Sequence, residues 1–142
     1  MRLVKHLLEG KGTEIFAIGP DKPVLEAIRM MADKYIGALL VMEGVNLLGI
    51  VSERDYARKV ILKGRSSSAT PVTEIMSSPV TTVDPATSVE EAMRIMTDRR
   101  IRHLPVTEDR RVAGVISIGD LVKAVIEDQQ QTIEQLESYI HR

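Results

Sequence analysis

The sequence predicts an α+β fold built from two copies of one β-α-β-β-α unit. Three observations predict it: an internal repeat offset by 65 residues, an apolar period that switches between helical and strand spacing inside each copy, and short polar turns at matching positions. Ile18–Ile61 aligns with Val83–Ile126 without a gap, with 16 identities over 44 positions. Average composition would give about 3 by chance.

Each copy opens on a short strand, Ile15–Ile18 or Val80–Val83, that ends at Pro20 or Pro85. Proline's fixed φ and missing N–H suit a chain leaving a strand. A helix follows, with Val24, Ala27, Ile28 and Met31, or Val89, Ala92, Met93 and Met96, at the i, i+3, i+4, i+7 spacing of one buried stripe. In the second copy Ser88 stands before Glu90 and Glu91, a hydroxyl cap followed by first-turn carboxylates. Two strand pairs come next. Ala38–Met42 and Leu47–Val51 flank Glu43 to Asn46, while His103–Thr107 and Val112–Ser117 flank Glu108 to Arg111, both hairpins by length and turn chemistry. A second helix opens at Ser52 or Ser117 and carries Tyr56, Val60 and Ile61, or Leu121, Val122, Val125 and Ile126. One copy alone leaves a sheet face uncovered, so the two are expected to pack through their sheets.

The expected organisation is a first unit over residues 1–63 with a lead-in helix, a polar linker over 64–71, a second unit over 72–127 and a C-terminal amphipathic helix over 128–142. Val72–Met76 is a second short apolar lead-in, and Ile133, Leu136 and Ile140 form the stripe of the tail helix.

Composition narrows the function. There is no Cys, which excludes a disulfide scaffold, thiol nucleophiles and thiolate metal sites. With 19 Lys+Arg against 20 Asp+Glu the net charge is −1, which argues against a surface devoted to gripping nucleic-acid backbone. The longest uncharged apolar run, Ile36 to Met42, is too short for a bilayer, and no signal-peptide pattern opens the chain, so a soluble cytoplasmic protein is expected. His6, His103 and His141 are isolated from one another, and neither a nucleophile elbow nor a P-loop is present. No catalytic set and no metal site emerge.

Two patterns remain. Gly49-Ile50-Val51-Ser52-Glu53-Arg54-Asp55 and Gly114-Val115-Ile116-Ser117-Ile118-Gly119-Asp120 each end a strand on a Ser that starts a helix, with an Asp one turn on. A helix start with a hydroxyl attracts an anion such as phosphate, and an Asp can accept two hydrogen bonds from a ribose diol. The plainer alternative is a capping box in which Asp55 and Asp120 bond back to the helix start. The second pattern is Arg99 to Pro105, where Arg102 could fork onto phosphate oxygens and His103 donate to them. Arg99 and Arg100 read as a solvated basic helix end.

Together these residues resemble a tandem pair of cystathionine β-synthase-type (CBS) domains: Ile-Gly-Pro or Val-Asp-Pro before the first helix, Ile101-Arg102-His103-Leu104-Pro105-Val106 in the middle strand, and G-x-x-S-x-x-D at the second helix, over residues 1–127. The resemblance implies two units packed sheet to sheet with pseudo-two-fold symmetry, no attached catalytic domain, no cofactor, and a regulatory protein that binds an adenine nucleotide (AMP, ADP, ATP or NAD) in clefts between the units. One implied cleft uses Ser52, Arg54 and Asp55 with Val80, Thr81, Ile101, Arg102, His103 and Pro105. The other uses Ser117, Gly119 and Asp120 with Ile15, Phe16, Ile36, Gly37 and Ala38. The Asp takes ribose, the Ser and basic residues take phosphate, and the apolar strands take adenine. The basic residues assigned to the Asp55 cleft make it the expected tighter one. A homodimer and an unidentified regulated protein are the implied partners. A nucleic-acid-binding stress protein using Arg99, Arg100, Arg102, Arg110 and Arg111 is the competing reading, and a small nucleotide hydrolase the third.

Overall fold

The computed structural model describes residues 2–12 and 14–141. The chain forms two compact units, Glu14–Thr81 and Met1–Thr13 with Thr82–Arg142. This corrects the expected boundaries. Helix α1 (Val4–Lys11) belongs with the second repeat, and the Val72–Met76 lead-in belongs with the first.

In the unit Glu14–Thr81, strand β1 (Ala17–Ile18) leads to helix α2 (Val24–Lys34) and the hairpin β2 (Ala38–Glu43) and β3 (Asn46–Ser52). Helix α3 (Glu53–Tyr56) widens into a π turn over Ala57–Ile61. The sheet order is β1-β2-β3, with β1 parallel to β2 and β2 antiparallel to β3, in the register Ala38↔Ser52 to Glu43↔Asn46. Val24, Ala27 and Met31 of α2 are buried against Leu39, Val41, Val51 and Val60. Val72 and Ile75, both at 0% exposure, complete that core from the lead-in. Full burial of such a side chain is worth about 1.5–3 kcal/mol, enough to hold a short segment on its host.

In the second unit, helix α4 (Val89–Arg99), the hairpin β4 (His103–Glu108) and β5 (Arg111–Ser117), and helix α5 (Ile118–Ile140) repeat the pattern. Ser88 caps α4 by accepting the Glu91 amide at 3.1 Å. The hairpin turn places Asp109 and Arg110 at φ 51° and 65°, the two-residue left-handed turn that matches strand twist. Val4, Leu7 and Leu8 of α1 enter the core of Val89, Ala92, Met96, Leu104, Val106, Ile116 and Leu121.

The lead-ins dock by the same backbone bonds on both sides. Val72, Thr73 and Val24 amides donate to Lys22, Pro20 and Thr70 carbonyls, and Val4, Lys5 and Val89 amides donate to Thr87, Pro85 and Arg2 carbonyls. Each lead-in also crosses a glycine. A Cβ on Gly49 would meet Met76 Sδ at 2.5 Å and Ser77 O at 3.0 Å, and one on Gly114 would meet Leu8 Cδ2 at 2.7 Å.

Two further expectations change. The strand expected at Val80–Val83 contracts to one parallel bridge, Val83↔Val106. In the first unit the Leu40 amide extends the ladder by donating to Phe16 O at 3.2 Å, whereas the corresponding residue in the second unit is Pro105, which has no N–H. The helix after Ser117 and the tail helix are one element, α5, of 23 residues and roughly 35 Å. Arg2 Nη1 reaches Glu127 at 3.2 Å and Asp128 at 3.6 Å on it, while Ile126, Ile133, Leu136, Tyr139 and Ile140 are exposed.

Candidate nucleotide-binding site

Both Ser-x-x-Asp segments form capping boxes. Ser52 N donates to Asp55 Oδ2 at 3.0 Å and Asp55 N to Ser52 Oγ at 3.1 Å; Ser117 N donates to Asp120 Oδ2 at 2.8 Å and Asp120 N to Ser117 Oγ at 3.2 Å. The next amide is also committed, since Glu53 N donates to Gly37 O at 3.0 Å and Ile118 N to Arg102 O at 2.8 Å. The plainer capping reading is therefore realised in both repeats. Much of each helix start is satisfied internally, so attraction for a phosphate at these ends falls mainly to side chains.

Strand register decides which side chains those are. Ala38 pairs with Ser52, and His103 pairs with Ser117. Within the first unit Ser52, half-buried Asp55 and exposed Arg54 therefore lie next to half-buried Ile36, Gly37 and Ala38. Within the second unit Ser117, Gly119 and Asp120 lie next to Ile101, Arg102 and His103, with Arg102 exposed and His103 half-buried. The residues assigned by resemblance to opposite clefts thus stand side by side. Each end carries one lysine and one arginine, Lys59 and Arg54 at Asp55 and Lys11 and Arg102 at Asp120, and the second end adds the half-buried His103 as a further donor. Of the other candidates, Ile15, Phe16, Val80 and Thr81 are half-buried in the first unit, and Lys34 Nζ lies 5.5 Å from the Phe16 ring centre. Pro105 is buried in β4.

Two lysines escaped sequence reasoning. Lys59 Nζ lies 3.3 Å from Asp55 Oδ1 and donates to Ile75 O at 2.9 Å. Its i,i+4 spacing from Asp55 was a usable signal. Lys11 Nζ lies 2.6 Å from Asp120 Oδ2 and donates to Val115 O at 2.8 Å. Nothing local in the sequence joins positions so far apart.

The electrostatics follow from this grouping. Burial and the neighbouring Lys11 ammonium push His103 below its ordinary value, with Arg102 adding to the effect and Asp120 opposing it. For Asp120, partial burial alone would raise the carboxyl. The Lys11 ammonium, the Ser117 amide and the Ser117 hydroxyl outweigh it and hold the group below the ordinary carboxylate range. Among the described residues no cluster of His, Cys, Asp or Glu could hold a metal ion.

A duplicated α+β unit with a Ser-x-x-Asp box at each second helix, each beside a Lys and an Arg and one beside a His as well, defines a paired module with two corresponding ends. The CBS domain model matches residues 12–62 and 72–127, and the chain belongs to the CBS domain family. It is 44% identical over 125 residues to a mitochondrial CBS domain-containing protein of Arabidopsis thaliana, spanning 84% of this chain and 61% of that protein's length. A solved protein with CBS domains from Burkholderia ambifaria is 50% identical, covers 90% of this chain and 96% of its own, and superposes with a TM-score of 0.87. A CBS domain pair solved in complex with 5′-methylthioadenosine and S-adenosyl-L-methionine shares the fold at a TM-score of 0.80 and 24% identity, over 90% of this chain and 98% of that one.

Proposed function

We propose that this protein is a non-catalytic regulatory sensor that binds an adenine nucleotide, one of AMP, ADP, ATP or NAD, at its Ser-x-x-Asp ends and passes occupancy to a partner protein as an energy or redox signal. The observation that carries the reading is the gathering of Lys11, Arg102 and His103 around the Ser117–Asp120 box. One carboxylate that can accept from a ribose diol, next to three groups that can donate to phosphate, matches a nucleotide's polar half. The adenosine ligands held by the related pair support the same chemical class. The Ser52–Asp55 box with Arg54 and Lys59, one donor fewer, is a second, weaker end, and Ile15, Phe16, Ile36, Ala38, Val80, Thr81 and Ile101 are the strand-side candidates for adenine. The exposed apolar face of α5 is proposed as a homodimer contact. Signalling then requires unequal affinity for two arrangements of the protein. A net charge of −1 weighs against the nucleic-acid reading.

A thermal-shift screen tests the proposal. A ligand at 100 times its Kd stabilises the folded state by about 2.7 kcal/mol, and at about 2–4 °C per kcal/mol for a chain of this size the shift is roughly 5–10 °C. No shift with any of the four nucleotides, alongside a mobility shift on RNA or DNA that weakens with salt, would replace this reading by the nucleic-acid one.

A further inference from the structure

The Asp120 carboxylate already has a cation on it, and that cation comes from a helix outside the repeat. Lys11 is the last residue of α1 and is followed by Gly12 at φ 97°. Its side chain is 41% exposed, so the ammonium has room to move away. Nζ reaches Asp120 Oδ2, the oxygen that also takes the Ser117 amide. At the other end the arrangement differs: Lys59 sits on Asp55 Oδ1 from one turn along the same helical segment, and Oδ2 is left to Ser52. Position 59 matches Ala124 in the repeat, while Lys11 lies outside the repeated segment altogether.

We propose that Lys11 is a resident counter-ion of Asp120 that must leave before a ribose diol can bond there, and that it then turns to the ligand's phosphate, so that it sets a preference for phosphorylated over neutral nucleosides at this end. The inference rests on the nucleotide-binding reading above and deepens it. A neutral nucleoside must displace the ammonium and offers it nothing in return. A nucleotide displaces it and supplies an anion within reach of a side chain that can swing through several ångströms. Arg102 and His103, set next to the Ser117 box by the strand register, add hydrogen-bond donors that favour a phosphate there as the replacement partner. A hydrogen bond to a charged group is strong enough to change an affinity ratio by about tenfold or more.

The test is calorimetric titration of the full-length protein and its Lys11→Met and Lys11→Arg variants with adenosine and with AMP. In Lys11→Met, adenosine binding is expected to tighten and the AMP-to-adenosine affinity ratio to fall about tenfold, with Lys11→Arg restoring most of the ratio. A ratio unchanged within about twofold in Lys11→Met, with both ligands still bound, overturns the role of Lys11 and leaves the nucleotide-binding reading standing. Failure of the unaltered protein to bind either ligand overturns that reading and this inference with it. A carboxyl NMR titration reads the contact without ligand: the Asp120 midpoint is expected to rise towards the ordinary value in Lys11→Met, and an unmoved midpoint refutes the ion pair itself.

Discussion

Replacing Gly49 or Gly114 by Ala perturbs the same repeat position in two different surroundings. At Gly49 the new Cβ would lie 2.5 Å from Met76 Sδ, 2.9 Å from Met76 Cγ and 3.0 Å from Ser77 O. Met76 can turn aside, but Ser77 O cannot move freely, because Ile50 N donates to it at 3.1 Å and Ser77 N donates back to Ile50 O at 2.9 Å. Relief therefore strains or breaks a backbone bond worth about 0.5–1.5 kcal/mol, on top of about 1–3 kcal/mol of overpacking, for a total of about 1.5–4.5 kcal/mol. At Gly114 the close atoms, at 2.7, 3.3 and 3.6 Å, all belong to the Leu8 side chain. A rotamer adjustment there costs about 0.5–1.5 kcal/mol. Urea unfolding of the two variants and of their partners in Leu8→Ala and Met76→Ala backgrounds gives the comparison. Gly49→Ala is expected to be the more damaging, Gly114→Ala to become nearly neutral beside Leu8→Ala, and Gly49→Ala to keep part of its cost beside Met76→Ala. A reversed order, or Gly49→Ala within about 0.5 kcal/mol of the parent, refutes the docking of the two lead-ins on these glycines.

Acidification acts through the same cluster. His103 has a lowered folded value, so the unfolded chain binds its proton first; stability is expected to fall as pH drops through about 6.5 and to level off below the folded value. The lowered Asp120 adds stability above the ordinary carboxylate value that is lost as pH falls through its depressed folded one. His103→Gln is expected to flatten the first slope in urea midpoints between pH 7.5 and 5.5, and an unchanged slope counts against His103 as its source. Ending the chain at Glu127 removes the exposed half of α5, so the Tm is expected to stay within a few degrees while light scattering shows loss of the dimer. An unchanged dimer would clear the tail of that role.

Much of this architecture is legible residue by residue. The i, i+3, i+7 burial of Val24, Ala27 and Met31 and the caps at Ser52, Ser88 and Ser117 follow from local rules, and so do the hairpins at Gly44 and at Asp109-Arg110. Non-local choices are not legible in this way. Val4, Leu7 and Leu8 announce an apolar stripe, but not which repeat receives it, since both repeats offer the same Pro-turn carbonyls and the same glycine gap. The loss of the Val80–Val83 strand was written in Pro105, whose missing N–H stops the ladder one bond early. Arg102 and His103 were grouped by resemblance with Asp55, and only the register of β4 on β5 sets them beside Ser117. Lys11 carries no local mark of its partner.

The most direct measurement is calorimetric titration of AMP, ADP, ATP and NAD into the parent protein, Asp120→Ala and Asp55→Ala. The account predicts that at least one of the four binds the parent, that Asp120→Ala weakens it about tenfold or more, and that Asp55→Ala costs less. Equal losses from the two variants would contradict the ranking drawn from Lys11, Arg102 and His103, and no heat from any of the four at millimolar concentration would contradict nucleotide sensing itself.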